Sequence, residues 1–322
     1  MREAGVPQVG GPVHSFRTYR DHLADRFPGR RIRKLCLQAG FTCPNLDGTR
    51  GRGGCAWCDN HGFAPGLDGP PDLAEQWDRG RVALRRRHRR TDGFIAYLQA
   101  FSNTYAPPDR LAALYAQVLA LPECVGLSLG TRPDCLPAAV VELLAELAQR
   151  TFLTVELGLQ SDRDAVLARM NRGHSVAEFH AAVARCAGRD FELCVHVILG
   201  LPGEGDDAPE RLGDLLAALP VASVKVHNLH LMRGTALARQ HEAGRITTVP
   251  RAAYVAACAR LIRRLRPDQA LQRVVADAPD RLLIGDAWCH DKQGILAELS
   301  AHLGCGLAAT EVADTAALVA TP

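Results

Sequence analysis

Six short β-prone runs, at 32–38, 94–99, 125–130, 152–157, 193–200 and 223–229, recur along this chain with helical patterns between them, among others at 110–121, 138–150, 176–187 and 211–219. Strands joined through helices pair in parallel, because each crossover returns the chain to the same end of the sheet. The pattern therefore predicts βαβ units. Six such units, with loops gathered at the C-terminal ends of the strands, predict an α/β fold, a partial or complete (β/α) TIM-like barrel. A doubly wound nucleotide-binding sheet is the competing arrangement, yet no G-x-G-x-x-G comes after the first strand. Beyond Thr248 the pattern is helical through Arg266, strand-like at 270–275 and helical again after Lys292, which reads as closure of the barrel rather than a second domain. The expected organisation is an N-terminal extension over 1–28, the barrel over 29–305 and a flexible tail over 306–322.

The first strand leads instead into a Gly-rich stretch, GFTCPNLDGTRGRGGCAWCDN, carrying Cys43, Cys55 and Cys58 in the spacing C-x11-C-x2-C. Three thiolates with no obvious fourth match the needs of a [4Fe-4S] cluster with one open iron, where a substrate can bind. Six glycines between Gly40 and Gly62 allow the backbone to wrap closely around sulfur. The competing reading is a closed tetrahedral zinc site made of the same thiolates with Cys36 or His61. Zinc knuckles commonly present two C-x2-C pairs, and this chain has one. Cys36 sits in an apolar run and reads as a buried strand residue. The remaining seven cysteines, Cys124, Cys135, Cys186, Cys194, Cys258, Cys289 and Cys305, are scattered singly and read as packing.

These residues resemble the radical S-adenosylmethionine (SAM) superfamily, whose usual signature is C-x3-C-x2-C with an aromatic before the last Cys, here Trp57. The first gap here is eleven residues rather than three. A lengthened gap is familiar from the branch similar to the elongator catalytic subunit, and the surrounding phrase resembles the YhcC-like group within it, over roughly 29–303. The resemblance implies a radical SAM barrel with SAM and a [4Fe-4S] cluster as cofactors, Cys43, Cys55 and Cys58 as the iron ligands, and a 5′-deoxyadenosyl radical that abstracts hydrogen from substrate. No stretch is long enough for the acetyltransferase domain of the elongator subunit, so acetyl transfer is not implied.

The remaining strand ends supply candidates for SAM and substrate. After the second run comes Gln99-Ala100-Phe101-Ser102-Asn103-Thr104-Tyr105, where the family places backbone and a polar side chain around the SAM amino group; Asn103 is the candidate, although the usual Gly-Gly-Glu is absent. Thr131-Arg132-Pro133-Asp134 resembles an elongator-type phrase, with Thr131, Arg132 and Asp134 expected at SAM; a proline-started helix with Asp134 in its first turn explains the phrase equally well. Glu156 alternates with Val155 and Leu157 and points into the barrel, where it and Gln160 are expected at the ribose, or else Glu156 pairs internally with Lys225 or Arg132. His196, alone among aliphatics, reads as a core histidine before a catalyst. Lys225, His227 and Arg233 are candidates for the SAM carboxylate or the substrate, against a plain polar barrel layer with Thr235 capping a helix.

A hydrophobic fraction of 47% with 23% charged residues, no signal peptide, no membrane-length apolar run and an odd cysteine count of 11 lead to the expectation of a cytoplasmic enzyme without a membrane partner. The net charge of +3 does not by itself argue for nucleic acid. Residues 79–90, RGRVALRRRHRR, carry seven arginines and read either as a solvated helix face or as a phosphate-contacting surface. The resemblance implies an external electron donor of flavodoxin or ferredoxin type and tRNA as a partner, with modification of the wobble uridine side chain as the reaction. A small-molecule or peptide substrate is the second enzymatic reading, and a non-enzymatic, zinc-stabilised RNA-binding protein stands as the alternative class.

Overall fold

The computed structural model of the protein describes residues 16–59, 72–276, 278–285, 287–304 and 315–316. Its strands, all paired in parallel, are β1 (Arg17–Thr18), β2 (Ile32–Leu37), β3 (Gly93–Leu98), β4 (Cys124–Thr131), β5 (Phe152–Gln160), β6 (Glu192–Leu199), β7 (Ser223–Asn228), β8 (Ala270–Arg273) and β9 (Thr315–Ala316). They lie in the order β1-β8-β7-β6-β5-β4-β3-β2-β9, so the six expected strands are sequential neighbours and the sheet, among the described residues, curls as a half-barrel with two free edges. The helices are α1 (Tyr19–Arg26), α2 (Leu73–Arg87), α3 (Pro108–Leu119), α4 (Ala138–Ala148), α5 (Asp164–Arg169), α6 (Val176–Cys186), α7 (Ala208–Ala218), α8 (Ala236–Glu242), α9 (Arg251–Ile262) and α10 (Lys292–Leu303).

Residues 16–28 are not an appendage. Arg17 and Thr18 pair with Ala270 and Leu271 of β8, and Tyr19 and Leu23 of α1 pack with Ile32, Ile95 and Ala270. The sequence hides this because a two-residue strand carries no period. Of the tail, only β9 falls within the described residues, beside Lys34 and Leu35 of β2.

Strand alternation sorts the two faces of the sheet by chemistry. Leu35 and Leu37, Leu127 and Leu129, Leu153, Val155 and Leu157, Val195 and Val197, and Val224 and Val226 join one apolar core with helix residues such as Trp77, Leu111, Leu144, Phe179 and Leu212. The alternate positions, Lys34, Ser128, Glu156, His196 and Lys225, bond to one another inside the curl. The barrel therefore has an oily outer layer and an ionic inner one. Trp77 fixes α2 by an edge contact to Phe94, 5.9 Å between centroids, and by its Nε1 donating to Pro122 O at 2.9 Å.

Helix packing is tight at Gly213 of α7, where a Cβ would stand 2.9 Å from Leu261 O and 2.6 Å from Arg264 Cβ of the α9 end. Gly213→Ala is expected to push α7 and α9 apart and to cost ~1–3 kcal/mol. The urea midpoint should fall with the m-value unchanged; a midpoint equal to wild type would show that α9 yields without cost.

Candidate functional site

A cavity of about 310 Å³ opens at the C-terminal end of the strands, and Cys43, Cys55 and Cys58 together form one wall of it. The loop that carries them is held by its own backbone. Leu46 N and Asp47 N donate to Cys43 O at 2.8 and 3.2 Å, and Cys58 N donates to Cys55 O at 2.9 Å. Gly53 and Gly54, at φ 78° and 73°, make the left-handed step into Cys55 that a side chain would resist. Arg172 Nη1 donates to Cys55 Sγ at 3.5 Å and Asn45 Nδ2 lies 3.8 Å from the same sulfur. Arg172 is itself fixed by Gly158 O, at 2.9 Å from Nη2. Burial pushes the Cys58 thiol up, and Cys55 and Cys43 add to the rise while Arg172 opposes it. Three thiols on one cavity wall, with polar groups donating toward Cys55, fit a thiolate-held metal cluster. Cys36 does not line this cavity, and His61 lies outside the described residues.

Beneath the opposite wall is a buried ion cluster. Glu156 Oε1 accepts from Lys34 Nζ and, at 2.7 Å, from Ser128 Oγ. Its Oε2 accepts from Lys225 Nζ and lies 2.7 Å from His196 Nε2. Both ammonium groups also face the Tyr97 ring, at 5.2 Å for Lys34 and 4.3 Å for Lys225. Burial raises the Glu156 carboxyl, but Lys225 and Lys34, with His196, outweigh it and hold the group well below the usual carboxylate range. Burial lowers Lys225 to about 8, with Glu156 opposing and Lys34 and Arg273 adding to the fall. Glu156, Cys194 and His196 lie close enough to hold an ion, but the two ammonium groups already occupy that carboxylate. They therefore make no site for a second metal.

Buried His174 and half-buried His196 and His227 give this region a pH signature. Burial lowers His196 to about 4 against its bond to Glu156, lowers His174 to about 3 with Arg172 adding, and holds His227 well below its ordinary value. Each binds a proton in the unfolded chain near pH 6.5 that the folded protein refuses, so folding stability falls as pH drops from about 6.5 toward about 4. Three such groups set a steepest slope of ~4 kcal/mol per pH unit, measured as unfolding free energy from urea titrations across that window. A flat profile would show that these histidines are solvated and titrate normally.

The expected SAM residues divide by position. Thr131, Arg132, Glu156 and Gln160 line the cavity. Arg132 grips Asp134 in a bidentate pair, Nε to Oδ1 and Nη2 to Oδ2 both at 2.9 Å, and its Nη1 donates to Arg172 O at 2.7 Å. That pair is itself part of the scaffold under Arg172. Glu156 meets the internal partner Lys225, as one reading expected, and not Arg132. Asn103 is turned away from the cavity, its Nδ2 donating to Ala100 O at 3.0 Å and Gly130 O at 2.9 Å. The fastened loop instead presents Ala100 and Phe101, both left-handed at φ 61° and 65°, to the cavity. Lys225 is buried below the cavity rather than lining it. Arg233 is exposed and lies off the lining, because the turn Met232-Arg233-Gly234 points only Met232 inward. Thr235 caps α8, accepting from Ala238 N at 3.2 Å.

The arginine run does not border the mouth. α2 ends in Arg85, Arg86 and Arg87 and leads directly into the start of β3, which is the opposite end of the sheet. Arg81 and Arg85 pair with Glu123, and Arg79 with Glu75 at 3.5 Å. The run has the ion pairs of a solvated helix face, and a phosphate contact made there would be removed from the cavity by a full strand length, ~20 Å.

Two family models match the chain, the Radical SAM superfamily over residues 48–216 and the Radical_SAM C-terminal domain over residues 221–304. Protein YhcC of Escherichia coli (strain K12) is 35% identical over 276 residues, 85% of this chain and 88% of that one. The archaeal Methanocaldococcus infernus Elp3 has the same fold, with a TM-score of 0.60 at 15% identity, covering 79% of this chain and 59% of that one. A tRNA uridine(34) acetyltransferase of Dehalococcoides mccartyi (strain CBDB1) is 29% identical over 161 residues, 48% of this chain and 34% of that one. The chain belongs to the radical SAM superfamily and is an enzyme of that class, whose cofactors are a [4Fe-4S] cluster and SAM. Within it the chain is of the YhcC-like kind, which sets aside the zinc-stabilised binding protein. No described helix is long and apolar enough to cross a membrane.

Proposed function

We propose that Cys43, Cys55 and Cys58 hold the cluster, that SAM binds in the adjoining cavity, and that the substrate is a uridine of tRNA at the wobble position. The observation that carries the first part is the convergence of the three thiols on one cavity wall, with Arg172 and Asn45 facing Cys55. Cluster and SAM, when bound and reduced by an external flavodoxin- or ferredoxin-type donor, supply a carbon radical that abstracts hydrogen. The chain's own residues shape where that happens. Arg172 and Asn45 donate toward sulfur and tune the cluster's potential. Thr131 and Gln160, on the lining, are placed to contact SAM, and the Ala100–Phe101 backbone offers polar groups beside it. The ion cluster of Glu156 seals the floor, keeping water out and the target carbon near the radical.

The partial match to a tRNA uridine(34) acetyltransferase supports the RNA substrate. The seat of the arginine run, away from the mouth, favours a second reading in which a small molecule lies wholly within the cavity. One experiment separates them. Anaerobically reconstituted protein with SAM and reductant is given either total tRNA or the small-molecule fraction of a cell extract, and 5′-deoxyadenosine and nucleoside masses are tracked. A new mass on a tRNA uridine supports the RNA reading; stimulation by the small-molecule fraction alone overturns it.

A further inference from the structure

Burying a polar atom with no partner costs ~1–3 kcal/mol, so two of them on neighbouring residues that line a cavity call for an explanation. Such a pair occurs at the C-terminal end of β7. Asn228 is 4% exposed and its Oδ1 accepts from Ala276 N at 3.0 Å, which fixes the orientation of the amide and leaves Nδ2 buried without a hydrogen-bond partner. His227 Nε2 is also buried without one, and both residues line the cavity. The imidazole of His227 packs on that of His196, 5.2 Å between centroids and 31° between planes. His196 is held in turn by Glu156, at 2.7 Å. His227 is thus backed by the buried ion cluster, and Asn228 is fixed by the backbone of Ala276.

Trp57, Tyr97, Phe101 and His196 are also among the residues that line the cavity. Ring faces favour planar ligands, and a base turned out of its strand is read by stacking together with hydrogen bonds to its edge. Neutral imidazole offers one accepting and one donating nitrogen, and a carboxamide nitrogen offers only donors. The imide edge of uracil alternates carbonyl, N–H and carbonyl. A donor to a carbonyl and an acceptor for the adjoining N–H satisfy that edge, whereas cytosine presents a bare accepting N3 where His227 also accepts.

We propose that His227 and Asn228 read the imide edge of a uracil turned out of its RNA strand into this cavity, Asn228 Nδ2 donating to a carbonyl and His227 accepting from the ring N–H. This rests on the RNA reading given above and assigns base selection to two neighbouring residues.

The test uses the reconstituted full chain with an anticodon stem-loop RNA bearing uridine or cytidine at the wobble position. His227→Phe keeps a ring and removes the nitrogens, Asn228→Asp replaces the donor by an acceptor, and His227→Asn restores a polar group as the conservative control. Product formation, 5′-deoxyadenosine formed per product, and SAM affinity by equilibrium dialysis are measured on each. His227→Phe and Asn228→Asp are expected to lower kcat/KM on the uridine RNA roughly ten- to a hundredfold and to release more 5′-deoxyadenosine per product. SAM affinity should stay within about twofold of wild type, and His227→Asn should recover part of the loss. Wild-type turnover of uridine RNA with equal turnover by both variants overturns the assignment alone. Loss of SAM affinity in step with kcat/KM also overturns it, since the two residues would then serve the cofactor. A wild type that modifies no RNA at all removes the RNA reading, and this assignment with it.

Discussion

Alanine at any one of Cys43, Cys55 or Cys58 is expected to abolish reductive cleavage of SAM, by at least roughly a thousandfold, and to leave the reconstituted protein well short of four irons per chain. The donor set is the reason. Among the described residues, no fourth thiol lines the cavity, so a lost ligand has no substitute there. None of the three cysteines belongs to the main apolar core, so the loss should be chemical rather than structural. Cys186 and Cys258 belong to that core, and alanine at either should cost packing stability of ~1 kcal/mol while leaving iron content and SAM cleavage at wild-type levels. Iron and sulfide analysis with 5′-deoxyadenosine release decides the matter. Full cleavage activity in any of the three loop variants would remove that cysteine from the ligand set.

Glu156→Gln should be the most destabilising single change in the barrel interior. It leaves the ammonium groups of Lys34 and Lys225 buried, close together and without their shared counter-charge. Breaking one side of a buried ion pair costs ~3–5 kcal/mol, a large part of the ~5–15 kcal/mol by which a domain is stable. The triple replacement Lys34→Met, Glu156→Leu, Lys225→Met should recover most of this, because apolar groups of similar volume need no counter-charge. Urea unfolding of the single and triple variants measures both. A single variant as stable as wild type would mean that water reaches the floor and solvates the lysines.

The strands were readable because each has apolar residues at every second position against the helices, and the period survives in the linear order. Glu156 was readable as an inward carboxylate for the same reason, and Lys225 as one of its partners. Lys34 was not, although it shares the same carboxylate, because it sits 122 residues away and within a run that reads as apolar. Arg172 contacts Cys55 from a turn between α5 and α6, and only the polar phrase Asn171-Arg172-Gly173-His174 marks the place. The seat of the arginine run could have been deduced: in a βα repeat the last turn of each helix lies at the N-terminal end of the next strand. Asn103 and Arg233 show the converse failure. Their positions in the chain are near the mouth, but which way a loop side chain turns is set by local carbonyls and turn geometry that carry no periodic signal.

Among the described residues the sheet ends at two free edges, β1 and β9, rather than closing on itself. A closed ring admits only what fits through its upper rim, and the volume it encloses bounds the whole guest. An arc, together with a mouth at the strand ends, sets a looser limit. A guest much larger than 310 Å³ can rest outside the mouth and lend the interior a single protruding group, so cavity size restricts the reacting fragment rather than the bulk of the partner.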